Sequence, residues 1–299
     1  VEQQRHLLAS APTDYDRYAA ARIMAEEQRH GWQMAYLLMT YFGQQGRREA
    51  QKLLERNAQD GDRLLGAFNI PMPHWLDFFC YTMFVDRDGK FQLGMLSTSA
   101  FKPLAASMGP MLKEESFHLG TGSNGLRRII KAGVIPLDML QRYINKWVST
   151  AHDLFGVDAS SSAHWAYVWG IKGRWDERKK LDAGIEVNKE VLNEESRGHY
   201  HQEIVGEVRK LCGYLPEGAE ELYVPHENFN RAIGATKGQH FNVDGTPFEG
   251  SEEDYAAYLA EVLPTDQDEL DLQELFKQEW IANKPMSTRQ IESGIGASA

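Results

Sequence analysis

The chain has 299 residues, 42% of them hydrophobic and 25% charged, which is enough to bury a large core. A formal charge of −11 at pH 7 lacks the basic surface that phosphate binding demands, and so argues against a nucleic-acid partner. Two cysteines, Cys80 and Cys212, give neither a disulfide framework nor a thiolate metal site, and the longest apolar run, around Ala35 to Phe42, is too short to span a bilayer.

With no signal-peptide pattern at its start, the chain reads as cytoplasmic, with no membrane contact. Pro12 and Thr13 open the first long helix, Thr13 being a suitable N-cap. From there to about Phe42, Ala20, Ile23, Glu27, His30, Met34, Leu37 and Tyr41 recur at steps of three and four, the stripe of a buried helix face. Glu27 and His30 lie within that apolar stripe. Gly43 ends the helix, Arg47 to Arg56 reads as a short exposed amphipathic helix, and Asp60-Gly61-Asp62 is a turn.

Pro71 and Pro73 lead into the aromatic run Trp75 to Phe84, too long for a comfortable strand and read as helix. Its stripe Trp75, Phe79, Thr82, Asp86 ends on a carboxylate, although Asp86-Arg87-Asp88-Gly89 also suits a turn. The next stripe, Leu104, Met108, Met111, Glu115, His118, contains Pro110, which predicts a kink or a fresh helix start there. Gly120-x-Gly122-x-x-Gly125 matches a dinucleotide fingerprint in letters only; without a preceding strand or βαβ pattern it predicts a helix-ending loop. Pro136 begins a helix from Leu137 to Leu154 with Leu140, Tyr143, Ile144 and Trp147 in the core.

Beyond Gly156 the pattern changes to clustered tryptophans, Trp165, Trp169 and Trp175, and a charged stretch from Asp176 to Glu203. Glu195, His199, His201 and Glu203 lack an apolar seam and read as a solvated face rather than a second metal cluster. Tyr200 to Cys212 is one more helix, Pro225 to Pro247 is loop-rich, and Glu252 to Leu263 and Leu270 to Ile281 are short acidic helices. The expected organisation is a helical core over residues 1–156, a helical and loop-rich extension over 157–286, and a disordered tail over 287–299.

Two Glu-x-x-His sequences, Glu27 to His30 and Glu115 to His118, stand 88 residues apart on matched seams. A carboxylate and an imidazole three residues apart on a helix point the same way and can share one metal ion. Burying an unpaired carboxylate costs several kcal/mol, so two intrusions of one type call for one compensation, a metal pair. Such pairs mark a carboxylate-bridged di-iron or di-manganese site in a four-helix bundle, which also needs one carboxylate on the helix before each pair. Asp86, 29 residues before Glu115, fills one such place, with Asp88 as fallback. The same distance back from Glu27 falls before residue 1, so the chain is expected to begin inside the first ligand helix; Glu2 is the nearest substitute.

The stretch Val1-Glu2-Gln3-Gln4-Arg5-His6, the Glu-Glu-x-x-His helix, Tyr36 to Gly43, Phe84-x-Asp86-Arg87-Asp88-Gly89-Lys90-Phe91-Gln92-Leu93 and Glu114-Glu115-x-x-His118 together resemble the oxygenase component of benzoyl-CoA 2,3-epoxidase. The resemblance returns at Leu154-Phe155-Gly156, Lys172-Gly173-Arg174 and Ile233-Gly234-Ala235, and thins over the last hundred residues. It implies an all-α, ferritin-like di-iron bundle that activates O2 and epoxidises the ring of an aromatic acyl-CoA. It implies Glu27, His30, Asp86, Glu115 and His118 as ligands to two iron ions, with the remaining family glutamate upstream of Val1. NADPH would act only through a separate flavin/iron–sulfur reductase, since no nicotinamide or flavin motif stands here.

Phe78, Phe79, Phe84 and Phe117 on the ligand helices are candidates for a substrate-pocket wall as well as for plain core. A thioester of coenzyme A also carries phosphates, for which Arg127, Arg128, Lys131, Lys172, Arg174, Lys179 and Lys180 are the densest basic groups, with Arg128 and Arg174 the chosen candidates. Two other readings stand beside the epoxidase: a di-iron oxidase or hydroxylase of another acyl-CoA, such as phenylacetyl-CoA, and a non-catalytic metal-binding scaffold.

Overall fold

The computed structural model describes residues 2–173, 177–186 and 189–284. Helix α1, Asp14–Tyr41, starts where the sequence places it, with Thr13 Oγ1 accepting from the Asp16 amide at 3.2 Å. Its buried stripe holds Ala20, Ile23 and Leu37 but stops there, because Tyr41 is exposed and packs edge-on against Phe101. Gly43, at φ 56°, turns the chain into α2, Gly43–Glu55, which folds back on α1.

The aromatic run is helical. Helix α3, Trp75–Cys80, passes through a π-helical segment, Tyr81–Val85, into α4, Asp86–Ser97. The Asp-Arg-Asp-Gly sequence is therefore helical rather than a hairpin, carrying the π segment on into α4. Helix α5, Lys102–Ala132, runs unbroken through Pro110, so no fresh start occurs. Proline frees the carbonyl four residues back, that of Ala106; both residues are exposed, so water can satisfy it.

The Gly120–Gly125 segment also lies inside α5, and the expected loop is absent. A Cβ on Gly122 would stand 2.5 Å from the Met83 amide nitrogen and 2.8 Å from the Phe79 carbonyl, and one on Gly125 would overlap the Phe79 ring. These glycines let α5 touch the backbone of the π segment, a packing role that their spacing in sequence disguises.

Helix α6, Leu137–Leu154, covers the other side of α3 and the π segment with Leu140, Tyr143, Ile144 and Trp147, all buried. The fold is all-α, a ferritin-like bundle of α1, the α3–π–α4 rod, α5 and α6, with no strand among the described residues. Its core centres on Trp75, Phe78, Phe79, Phe84, Phe91 and Trp147. Helix α7, Ser161–Val168, and the short α8, Glu177–Asp182, precede α9, Leu192–Cys212, which begins eight residues earlier than the periodicity indicates and packs Tyr200, Ile204 and Val208 into the core. Helices α10, Glu252–Val262, and α11, Asp266–Leu275, each open on a capping box; α11 ends six residues before the expected Ile281. The tail expected over 287–299 and Trp175 lie outside the described residues. None of the described helices is long and apolar enough to cross a membrane.

Candidate metal centre

Helices α1 and α5 and the start of α4 bring Glu27, His30, Asp86, Glu115 and His118 to one place. Ligand atoms of Glu27, His30 and Glu115 lie within 4.8 Å of one another. The Nδ1 of His118 stands 3.4 Å from Glu27 Oε1, 3.5 Å from Glu115 Oε2 and 3.9 Å from Asp86 Oδ2. Glu27 Oε1 is also 3.6 Å from His30 Nδ1, which puts this carboxylate between the two imidazoles, whose ring centres are 6.4 Å apart. His118 is fully buried and Asp86 and Glu115 nearly so, whereas 34% of the Glu27 side chain is exposed, so the centre opens on its α1 edge.

The outer ring nitrogens are held crosswise. His30 Nε2 donates to Glu114 of α5 at 2.8 Å, and His118 Nε2 donates to Glu26 of α1 at 2.9 Å. Each outer carboxylate is backed by arginine: Arg22 donates to Glu26 at 2.9 Å and Arg29 pairs with Glu114. With Nε2 donating to a carboxylate, Nδ1 is the nitrogen left to face inward, the one a metal would take by displacing its proton.

The inner atoms are unsatisfied. Asp86 Oδ2, Glu115 Oε2 and His118 Nδ1 are buried without a hydrogen-bond partner. Burial pushes the Asp86 and Glu115 carboxyls up against the pull of His118, Glu27 pushes both further, and Glu115 adds to the rise of Asp86. Glu27, although burial opposes it, is held below the usual range by His30 and His118. Burial pushes His118 down, but Glu115, Asp86 and Glu27 outweigh it and raise its pKa to about 10. Three inward carboxylates and two imidazole nitrogens converging on an unsatisfied space fit divalent metal ions with mixed oxygen and nitrogen preference.

Other candidates lie elsewhere. Glu2 pairs with Arg63 and accepts from the Ala58 amide at 2.9 Å, so its carboxylate is committed away from the cluster. Asp88 is fully buried and bonded by Gln92 at 3.1 Å; burial first, then Glu115, raises its pKa to about 7. Phe78, Phe79 and Phe84 are sealed in the main core, while Phe117 is partly buried beneath the Arg22 guanidinium, 3.9 Å from its ring centre.

Arg128 is not available for phosphate, because it is buried, bidentate to Asp16 and bonded to the Ala282 carbonyl at 3.1 Å. Lys172 is engaged by Asn193 at 2.7 Å and Gln92 at 3.0 Å; Arg174 lies outside the described residues. His201 and Glu203 do not form a solvated face: His201 meets the buried His152 at 3.3 Å, and Glu203 binds Arg87 and Lys90.

Sequence reasoning missed Glu26 and Glu114 as functional residues. The signal was present as two Glu-Glu doublets, one ahead of each Glu-x-x-His pair.

The family profile described as phenylacetic acid catabolic protein matches residues 1–222. The chain is 37% identical over 314 aligned residues to a protein named benzoyl-CoA oxygenase component B, from Aromatoleum evansii, with 90% of this chain covered. The match spans 66% of that relative's length. With a profile that takes in most of the chain and a relative of this identity, the chain belongs to the phenylacetic acid catabolic protein family.

Proposed function

We propose that this chain is the oxygen-activating component of an oxygenase that epoxidises the ring of an aromatic acyl-CoA, benzoyl-CoA first among them. The observation that carries the reading is the pair of crossed Glu-Glu-x-x-His helices converging on one unsatisfied cluster. The relative's name, which specifies a benzoyl-CoA oxygenase and a component, supports the substrate class and a partner component; the partner we propose is an NADPH-dependent flavin/iron–sulfur reductase. Glu27, His30, Asp86, Glu115 and His118 would hold two iron ions, and these would supply the reduction of O2 and the transfer of one oxygen atom to the ring.

The protein's own residues do the rest. Glu26 and Glu114 fix the two imidazoles before any ion arrives, so little reorganisation accompanies loading. Glu27, placed between both imidazoles, would offer its carboxylate to the centre from the α1 side. The buried His118, Asp86 and Glu115 side of the centre is closed to bulk water, and the partly exposed α1 edge at Glu27 is where substrate and O2 would enter. We place the protein in the cytoplasm.

A second reading is favoured by the family description, which names phenylacetic acid: the same centre acting on phenylacetyl-CoA. Iron stoichiometry, O2 consumption and mass spectrometry of products with a panel of acyl-CoA thioesters and a reductase test both. About two irons per chain and an epoxide from benzoyl-CoA support the first reading, and oxidation of phenylacetyl-CoA alone supports the second. Metal bound without substrate-coupled O2 consumption refutes both in favour of a scaffold. Glu115→Ala is expected to abolish loading.

A further inference from the structure

In a regular α-helix each interior carbonyl is taken by the amide four residues on. The turn that carries Asp86 departs from this pattern. The Asp86 amide donates instead to the Tyr81 carbonyl, so that the candidate ligand itself closes the π segment. Around that turn, side chains reach main-chain oxygens. Thr82 Oγ1 donates to the Phe78 carbonyl at 2.9 Å and lies 3.2 Å from that of Phe79. Arg87 Nε donates to the Met83 carbonyl at 3.1 Å, and the Tyr200 hydroxyl of α9 donates to the Phe84 carbonyl at 3.1 Å.

Helix α9 is tied to this turn twice. Glu203, one turn on from Tyr200, binds the Arg87 guanidinium and accepts from Lys90 at 2.7 and 2.8 Å. Tyr200 and Arg87 are both buried, and the Tyr200 ring is fixed by Phe155 and His152, each with ring centres 5.3 Å away. From the other side α5 reaches the same turn through Gly122, where a Cβ would stand 2.5 Å from the Met83 amide nitrogen. Packing α9 on α4 requires none of these polar contacts, because apolar neighbours would join the helices without desolvating a guanidinium and a hydroxyl. What donors aimed at these carbonyls do is hold one ladder against another. A ladder that slips by one residue turns the side chains beyond it by about 100°, enough to take the Asp86 carboxylate away from His118 Nδ1, now 3.9 Å off.

We propose that Tyr200 and Arg87, with Glu203 behind Arg87, are positioning residues of the metal centre, which fix the π turn that aims Asp86 at His118. The inference rests on the reading of Asp86 and His118 as metal ligands given above. It makes α9, beyond Gly156 in sequence, a working part of the site, although it carries none of the candidate ligands. Tyr200 touches no ligand side chain; it acts through the backbone of the π segment.

The test takes Co(II) as the probe, with binding to the full chain followed by its visible absorption, and adds amide hydrogen exchange of the metal-free chain read by mass spectrometry. Tyr200→Phe removes one hydroxyl and keeps the ring. Expected are Co(II) affinity lower by roughly tenfold, the low end of what loss of a ligand's outer support costs, an altered visible spectrum, and faster exchange confined to the π segment and the start of α4. Phe155→Leu loosens the same aromatic pocket without touching a π carbonyl, and should leave the spectrum and that segment's exchange as they are in the unaltered chain. Should Tyr200→Phe fail to fold, Glu203→Ala, at a half-buried site, frees Arg87 and should move affinity, spectrum and exchange in the same direction. An unchanged spectrum in the folded variants overturns the positioning role alone. So does faster exchange spread alike over the whole chain by Tyr200→Phe and Phe155→Leu, which would make Tyr200 plain core. An unaltered chain that binds no Co(II) overturns the metal centre and this inference together.

Discussion

Glu114 of α5 accepts a hydrogen bond from His30 of α1 at 2.8 Å, across the seam between the two ligand helices. Its counterpart joins Glu26 to His118 in the opposite direction. Carboxylates that orient a ligand imidazole typically contribute 10–100-fold to metal affinity. Glu26→Gln and Glu114→Gln should therefore each weaken metal binding by roughly 10–100-fold, with the helical content unchanged. A competitive chelator titration with Fe(II) or Co(II) measures this; affinities equal to wild type would show that the crossed pairs only staple the helices.

In the metal-free chain, His118 has a pKa of about 10, because Glu115, Asp86 and Glu27 outweigh its burial. A folded pKa above the unfolded value of about 6.5 gives stability that is fully present below that value and lost as pH rises through about 10. Urea denaturation of metal-free protein should show this loss from neutral to alkaline pH, and His118→Gln should flatten it. Metal must displace the same proton, so apparent metal affinity should rise with pH over that window, with proton release seen in weakly buffered solution.

Gly125→Ala places a methyl group into the Phe79 ring. Overpacking of a filled core costs roughly 1–3 kcal/mol, so a fall in melting temperature of several degrees is expected by calorimetry. Phe79→Leu in the same chain should recover part of the loss, since the two changes share one contact. Additive losses would place the strain elsewhere.

Arg128→Met leaves Asp16 buried without its cation. Removing one partner of a buried pair costs about 3–5 kcal/mol, and this should appear as a lower denaturation midpoint. Replacing Asp16 as well, as Asp16→Leu with Arg128→Met, should restore much of it. The KM for an acyl-CoA should be unchanged in the double variant, because Arg128 faces Asp16 and the Ala282 carbonyl rather than an open surface.

The helix pairs that carry the candidate ligands were legible because a three-residue spacing has one meaning on a helix and each pair interrupts an apolar stripe. Asp86 was harder. Asp-Gly favours a turn locally, and only the packing of α4 on α5 makes it helical. Glu26 and Glu114 escaped notice because each sits beside a ligand, about 100° around its own helix, and becomes useful only once α1 and α5 are paired across the cluster. The glycines of α5 were misread because a small residue has the same letters in a loop and in a close helix contact. The π segment has no rule of composition; it follows from fitting Tyr81–Val85 against Gly122.

The contact between Gly122 and the Met83 backbone also sorts the candidate ligands by the elements that carry them. With no side chain on Gly122, α5 packs directly on the π segment, and Asp86, Glu115 and His118 stand on these packed elements. Glu27 and His30 stand on α1, joined to them at the cluster through the crossed carboxylate–imidazole pairs. Glu27 is thus the ligand that α1 brings to the open edge of the centre, with α1 itself held to α5 by the buried Asp16–Arg128 pair.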